Sequence, residues 1–356
     1  MSYTLLSPIQ MGRLNLPNRI AMAPMTRNRA NQDGSPTQSM VTYYQQRASV
    51  GLIVTEGTMP SENSKAYLDI PGCFNTEQMQ EWSKVTQAVH HEGGHIFLQI
   101  MHGGRVAHSS FLPAGMHPIG PSAIQASGSV FTNSGEVPFE IPIEMSQSDI
   151  ADTKRQFVDC AVLAIQAGFD GIELHAANGY LLNQFLASNA NHREDKYGGT
   201  PEKRTQFVVE VVDEICAAIG ADRVAIRISP NGTFNDISET TLEATYAELL
   251  ARLSPLGLAY LHLVELPGFD SVPWARARWN GTLMVNTDET QVDKLGAARK
   301  VMESAQADVV SFGRLILANP DFVSRLSLAN CPMNEPDEDL FYGGGDKGYI
   351  DYPTIS

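Results

Sequence analysis

Residues 19–30 read RIAMAPMTRNRA, and this stretch decides between two architectures. It opens with a short apolar run, which predicts a buried strand early in the chain. A doubly wound open sheet with a nucleotide site follows such a strand with a glycine-rich turn. Here the run ends instead in Pro24, Met25 and Thr26, with no GxGxxG. The competing architecture is a parallel sheet that closes on itself, and it needs eight strands.

Seven further apolar, β-rich runs supply them: GLIVTEGT (51–58), HIFLQIM (95–101), FDGIELHA (169–176), VAIRISP (224–230), LAYLHLVE (258–265), GTLMVN (281–286) and DVVSFGR (308–314). Most are nearly continuous in apolar residues, as parallel strands covered on both faces require. Helical patterns lie between them, at 39–49, 76–94, 148–169, 200–220, about 239–253 and about 289–305. Thr76 is the expected N-cap of the second. Thr200 and Pro201 read as the N-cap and first residue of the fourth. The alternation predicts an α/β protein, a (β/α)8 TIM barrel filling residues 1–356 as a single domain. Residues 3–18 read as an N-terminal β-hairpin closing the bottom of the barrel. The Ser-, Gly- and Pro-rich stretch 108–146 falls between the third strand and its helix, on the face where such barrels keep their sites.

Composition narrows the function. The chain has 356 residues, is 43% hydrophobic and carries a net charge of -15. That balance argues against nucleic-acid and anionic-membrane partners, which need clustered Lys and Arg. Cys73, Cys160, Cys216 and Cys331 form no CxxC or metal spacing, so reduced thiols of a cytoplasmic protein are expected. The start has neither the basic nor the apolar region of a signal peptide, and no stretch approaches the ~20 apolar residues of a membrane span. Oligomeric state is not legible.

In a barrel, polar residues at the carboxyl ends of strands face the site. The first strand ends in Pro24-Met25-Thr26 and the second in Glu56-Gly57-Thr58. The third ends in Gln99 with His102 just beyond, the fourth in His175, the fifth in Arg227 and the eighth in Gly313-Arg314. After His175 comes AANGY. If residues 175–180 form a helical turn, His175 and Asn178 lie about 60° apart and Tyr180 about 140° from His175. Two donors then share one acceptor atom while a phenol points elsewhere.

Several segments together resemble one family. They are LSPIQMGRLNLPNRIAMAPMTR, YYQQRASVGLIVTEGT, LQIMHGGRVAH, GFDGIELHAANGYLLNQFLASNANHREDKYGGTPEKR, AIRISPNGTF, FGR with ANPD at 312–321, and FYGGGDKGYIDYP. In order and spacing they are similar to the old yellow enzymes, FMN-dependent ene-reductases on a (β/α)8 barrel, and bacterial N-ethylmaleimide reductase-type members in particular. The resemblance implies a ping-pong reduction of activated alkenes, with FMN as cofactor and NADPH or NADH as electron donor. It implies that His175 and Asn178 bind the substrate oxygen and that Tyr180 donates the proton. It places Pro24, Met25, Thr26, Gly57, Gln99 and Arg227 around the flavin ring, Gly313 and Arg314 at its phosphate, and Tyr67 and Tyr342 over the substrate. Two departures stand out. MVNTDET (284–290) puts Asp288 where family members have small residues near the phosphate, which predicts lowered FMN occupancy. Met101 stands where many relatives have Trp, which predicts a roomier pocket.

The sequence offers two rival readings. The histidines of HHEGGH (90–95), with His102 and His108, suggest a metal-dependent hydrolase, yet no HxH ends the first strand. A scaffold that kept the fold and lost flavin is the other. For the ene-reductase reading, activated alkenes such as enones, maleimides or nitroalkenes all fit as substrates.

Overall fold

The computed structural model describes residues 4–288, 290–328 and 331–355. The chain begins with a hairpin, β1 (Ile9–Met11) and β2 (Leu14–Leu16). It continues through β3 (Ile20–Met22), α1 (Gln38–Gln46), β4 (Leu52–Val54), α2 (Thr76–His91) and β5 (Ile96–Ile100). Four short strands follow: β6 (Ile119–Gly120), β7 (Ser129–Thr132), β8 (Gly135–Pro138) and β9 (Ile143–Glu144). Then come α3 (Gln147–Gln166), β10 (Gly171–Ala176), α4 (Leu181–Leu186), α5 (Pro201–Ile219), β11 (Val224–Ile228), α6 (Leu242–Leu253) and β12 (Tyr260–Val264). The last elements are α7 (Ser271–Arg276), β13 (Leu283–Asn286), α8 (Lys294–Glu303), β14 (Val309–Phe312), α9 (Arg314–Ala318) and α10 (Phe322–Ser327).

Each of the eight apolar runs yields one strand of a closed parallel barrel, in the order β3-β4-β5-β10-β11-β12-β13-β14 and back to β3. The outward side chains of these strands join the helices in the main apolar core. The inward ones divide by height. Leu52, Val54, Phe97, Ala225, Tyr260, Met284 and Val309 form a separate apolar cluster with Met11 and Leu16 of the hairpin. The hairpin therefore seals the lower end, as expected. Gly12, at its turn, has φ +53°, and a Cβ there would sit 2.4 Å from the Asp222 carbonyl.

Some boundaries differ from expectation for local reasons. Asn75, not Thr76, caps α2: its side chain accepts the Gln78 N–H at 2.8 Å from an extended backbone, an arrangement typically worth ~1 kcal/mol. Thr200 and Pro201 take the expected places at the start of α5. Helix α8 begins at Lys294, where Asp293 caps the Gly296 N–H; Glu289, where that helix was expected to begin, lies outside the described residues. The 108–146 stretch is ordered as two small strand pairs, β6 with β9 and β7 with β8. Among the described residues no helix is long and apolar enough to cross a membrane.

Candidate active site

At the carboxyl ends of the strands lies a cavity of about 650 Å³. Its wall includes Pro24, Met25 and Thr26 from the end of β3, Tyr67, Tyr180, Arg314 at the start of α9, and Tyr342. Ser129, Val130 and Phe131 of β7 also reach it, so the 108–146 excursion does stand over the mouth.

The segment after β10 departs from the helical turn that the spacing suggested. The strand runs to Ala176, so His175 is extended. Asn178 (φ 55°) and Gly179 (φ 76°) are left-handed, and the Tyr180 N–H donates to the Ala177 carbonyl at 3.3 Å. Positive φ at both central residues is the type I′ pattern that Asn-Gly favours. Ser229 Oγ accepts the Asn178 N–H at 2.9 Å, and Asn235 Nδ2 donates to the Asn178 carbonyl at 2.8 Å, so this turn is held from both sides.

Tyr180 and His175 still meet, with ring centroids 4.8 Å apart. The Tyr180 hydroxyl lies 2.9 Å from that of Tyr67, and the Asn235 side chain reaches both hydroxyls. Burial, reinforced by Tyr67, holds the Tyr180 phenol well above its usual range. Burial also pushes His175 well below the usual imidazole range, helped by the nearby charge of Arg227. The imidazole is thus neutral, with one N–H to donate. Its Nδ1 is buried with no hydrogen-bond partner in the protein, an unusual state for a polar atom in a folded core.

Below this rim, polar side chains fill the upper barrel. Gln99 Nε2 donates to Glu173 Oε1 at 2.8 Å, His262 Nδ1 lies 2.8 Å from Glu173 Oε2, and His262 Nε2 lies 2.8 Å from Ser311 Oγ. Arg227 donates to Asn286 Oδ1 at 2.8 Å. The pairs on β10 and β12, β12 and β14, and β11 and β13 each skip a strand, so these bonds cross the barrel interior. Glu173 is held below the usual carboxylate range: its burial alone would raise it, but His262, Arg227 and Gln99 outweigh that. Sequence reading passed over Glu173, His262, Ser311 and Asn235. For Glu173, His262 and Ser311 the signal was a polar residue inside an otherwise apolar run, in GIELHA, YLHLV and VVSF; Asn235, in a loop, carried no such signal.

Other strand-end residues serve structure. His102 is buried, and its Nδ1 accepts the Gly104 N–H at 3.0 Å; burial lowers it to about 3. Glu56 Oε2 accepts the Arg27 N–H at 3.1 Å, and Tyr44 lies at its other oxygen. Burial pushes the Glu56 carboxyl up to about 7, against the pull of the Arg27 N–H and of the Arg27 and Arg29 charges. A folded pKa above the ordinary 4.5 means extra bound protons in the folded state between pH 4.5 and 7. Stability contributed by Glu56 therefore falls as pH rises through that window, by roughly 3 kcal/mol in all. Urea unfolding of the wild type and Glu56→Gln should show this: the difference between them grows from pH 5 to 7 and is level above 8. Parallel curves would exclude the elevated value.

Gly57 is required by close approach, since a Cβ there would meet the Met101 sulfur at 2.5 Å. Met101 is fully buried, packs with Tyr180 and Met59, and does not line the cavity. His90 and His95 face Asp170 at 3.1 and 3.8 Å, beside the amino ends of β5 and β10 and away from the cavity. Among the described residues no group of three or more His, Cys, Asp or Glu is arranged to hold a metal.

Residues 4–330 match the NADH:flavin oxidoreductase / NADH oxidase family. The chain belongs to the old yellow enzymes. A probable flavin mononucleotide-dependent alkene reductase of Leishmania infantum is 39% identical over 360 residues, covering 99% of this chain and 97% of that one. Morphinone reductase superposes with a TM-score of 0.94 at 38% identity, over 100% of this chain and 97% of the other. The old yellow enzyme homologue of Zymomonas mobilis gives 0.95 at 35%, over 99% and 100%. This old yellow enzyme is accordingly a flavin-dependent oxidoreductase. Its residues fit FMN: one cavity extends from Tyr180 to Arg314, and His175, whose buried Nδ1 has no partner in the protein, packs against Tyr180 of its wall.

Proposed function

We infer that this protein reduces the C=C bond of α,β-unsaturated carbonyl compounds and related activated alkenes, with NADH as electron donor. FMN, when bound, supplies the hydride. Pro24, Met25, Thr26, Gly57, Gln99 and Arg227 would hold its ring, and Gly313 with Arg314 its phosphate. The observation that carries the reading is Tyr180, in the cavity wall, packed against His175: a protonated phenol next to a neutral imidazole.

His175 and Asn178 bind the carbonyl oxygen of the substrate. As hydride reaches the β-carbon, negative charge grows on that oxygen, and donors fixed in a buried site stabilise it more than they stabilise the ground state. Tyr180 gives its proton to the α-carbon. Tyr67, hydrogen-bonded to Tyr180, fixes the direction of the phenol O–H, and Tyr342 covers the substrate from the rim. The aromatic lining favours flat, apolar substrates.

Charge at the rim supports NADH. A 2′-phosphate needs an available cation, and the cations lining the cavity among the described residues are Arg27 and Arg314. Arg27 is buried and donates to the carbonyls of Leu340, Phe341 and Gly348, while Arg314 is committed to the FMN phosphate in this reading. Structures of morphinone reductase in complex with tetrahydroNAD agree with this choice. Steady-state rates with 2-cyclohexenone and either coenzyme test it; a higher kcat/KM with NADPH would overturn it.

Asp288 bears on FMN affinity. Its carboxylate accepts from the N–H and hydroxyl of Thr290, and its own N–H donates to Glu265 at 3.2 Å. Two acidic side chains thus meet beside the end of β13, near the phosphate site expected after β13 and β14. Removing one charge should favour the dianion by about 1 kcal/mol. Asp288→Asn is expected to bind FMN about fivefold more tightly in a fluorescence titration of the apoprotein; weaker binding would show that the carboxylate organises the loop instead.

A further inference from the structure

The crossed network in the upper barrel has no part in the chemistry described so far, yet it touches two of the residues assigned to the flavin ring. Glu173 takes a hydrogen bond from Gln99 and one from His262, and both its oxygens are fully buried. A carboxylate only accepts, so His262 carries its proton on Nδ1, and its Nε2 accepts from the Ser311 hydroxyl. His262 is lowered by burial despite Glu173, so it is neutral and the network has one negative charge. The positive charge nearby is Arg227, which Glu173 feels directly.

We propose that Glu173 is a positioning residue that orients the Gln99 amide for binding the flavin and, by offsetting part of the Arg227 charge, sets the redox poise of the bound flavin. This rests on the functional reading above. The orientation follows from the bond: with one Nε2 hydrogen committed to Glu173, the Gln99 carbonyl oxygen and the second hydrogen are turned toward the ring. The offset follows from burial, because charges in a low-dielectric interior are weakly screened. The reduced form of the cofactor is more negative on its pyrimidine side than the oxidised form. A buried carboxylate beneath Gln99 opposes that charge, and Arg227 favours it. Glu173 therefore holds the potential lower than Arg227 alone would set it, which keeps the reduced cofactor a strong hydride donor.

Glu173→Gln separates charge from shape. The amide keeps an acceptor for Gln99, and a change of His262 tautomer with a turn of the Ser311 hydroxyl satisfies the rest. In the FMN-loaded variant the relative affinity for reduced over oxidised flavin should rise about tenfold, a positive shift of ~30 mV for a two-electron couple. A ratio within twofold of the parent would overturn the proposal. If Glu173→Gln does not fold, Glu173→Asp serves. It keeps the charge, so the ratio should stay within twofold while FMN binds several-fold more weakly through the loss of the Gln99 contact. A tenfold change in that variant would also overturn it. A parent protein that binds no FMN would sink the functional reading and this inference together; FMN binding with an unchanged potential in Glu173→Gln sinks this inference alone.

Discussion

Tyr180→Phe is expected to slow the reoxidation of the reduced enzyme by an enone by about 10²- to 10⁴-fold, the usual contribution of a positioned acid. The reduction of the flavin by NADH should change less than threefold. The split follows from where the phenol stands. It is buried against His175 and Tyr67, lines the cavity, and loses only its hydroxyl in the variant. NADH delivers hydride without needing a proton from the protein, whereas the alkene's α-carbon needs one. The same geometry fixes a pH dependence. An acid catalyst is lost as pH rises through its pKa, and burial raises that of Tyr180 well above 10. The oxidative half-reaction should therefore stay level to about pH 10. Stopped-flow traces of the two half-reactions give both results. Equal losses in both would contradict the assignment of the proton donor.

His175→Ala should produce the second large effect. The side chain is neutral, buried and packed against Tyr180 of the cavity wall, with Nδ1 unpaired. Removal of one donor from a charge-stabilising pair typically costs 10²- to 10³-fold in turnover. Phenol-type ligands, whose oxygen occupies the place of the carbonyl oxygen, should bind about tenfold or more weakly, since a hydrogen bond in a buried site is lost. Because the imidazole stays neutral across the working range, this loss should be the same at pH 6 and pH 8. A loss confined to low pH would mean that His175 acts as a cation.

The fold was readable from the eight strands because each is a run of apolar residues bounded by polar ones, and closure follows from their number. The chain also announced its rim: Thr26, Tyr67, Tyr180, Arg314 and Tyr342 all line one cavity. What sequence could not give was conformation at the tight turn. The spacing of His175, Asn178 and Tyr180 suits a helix, and only the positive φ of Asn178 and Gly179 shows a hairpin-like turn instead. Nor could it separate the polar strand-end residues that enter the site from those that leave it. Glu56 turns toward Tyr44 and Arg27, and His102 toward Gly104, because each finds an N–H there. The buried Glu173–His262–Ser311 chain was hidden for another reason. Its members lie on three strands far apart in sequence and become neighbours only across a closed barrel.

The central requirement is one cavity that holds both a hydride source and the Tyr180 proton. Its most direct test is anaerobic mixing of FMN-loaded, NADH-reduced protein with 2-cyclohexenone, followed at the flavin's visible absorbance. The predicted result is full recovery of the oxidised spectrum with one equivalent of cyclohexanone formed per flavin. A spectrum that stays bleached while the protein retains its FMN would contradict it.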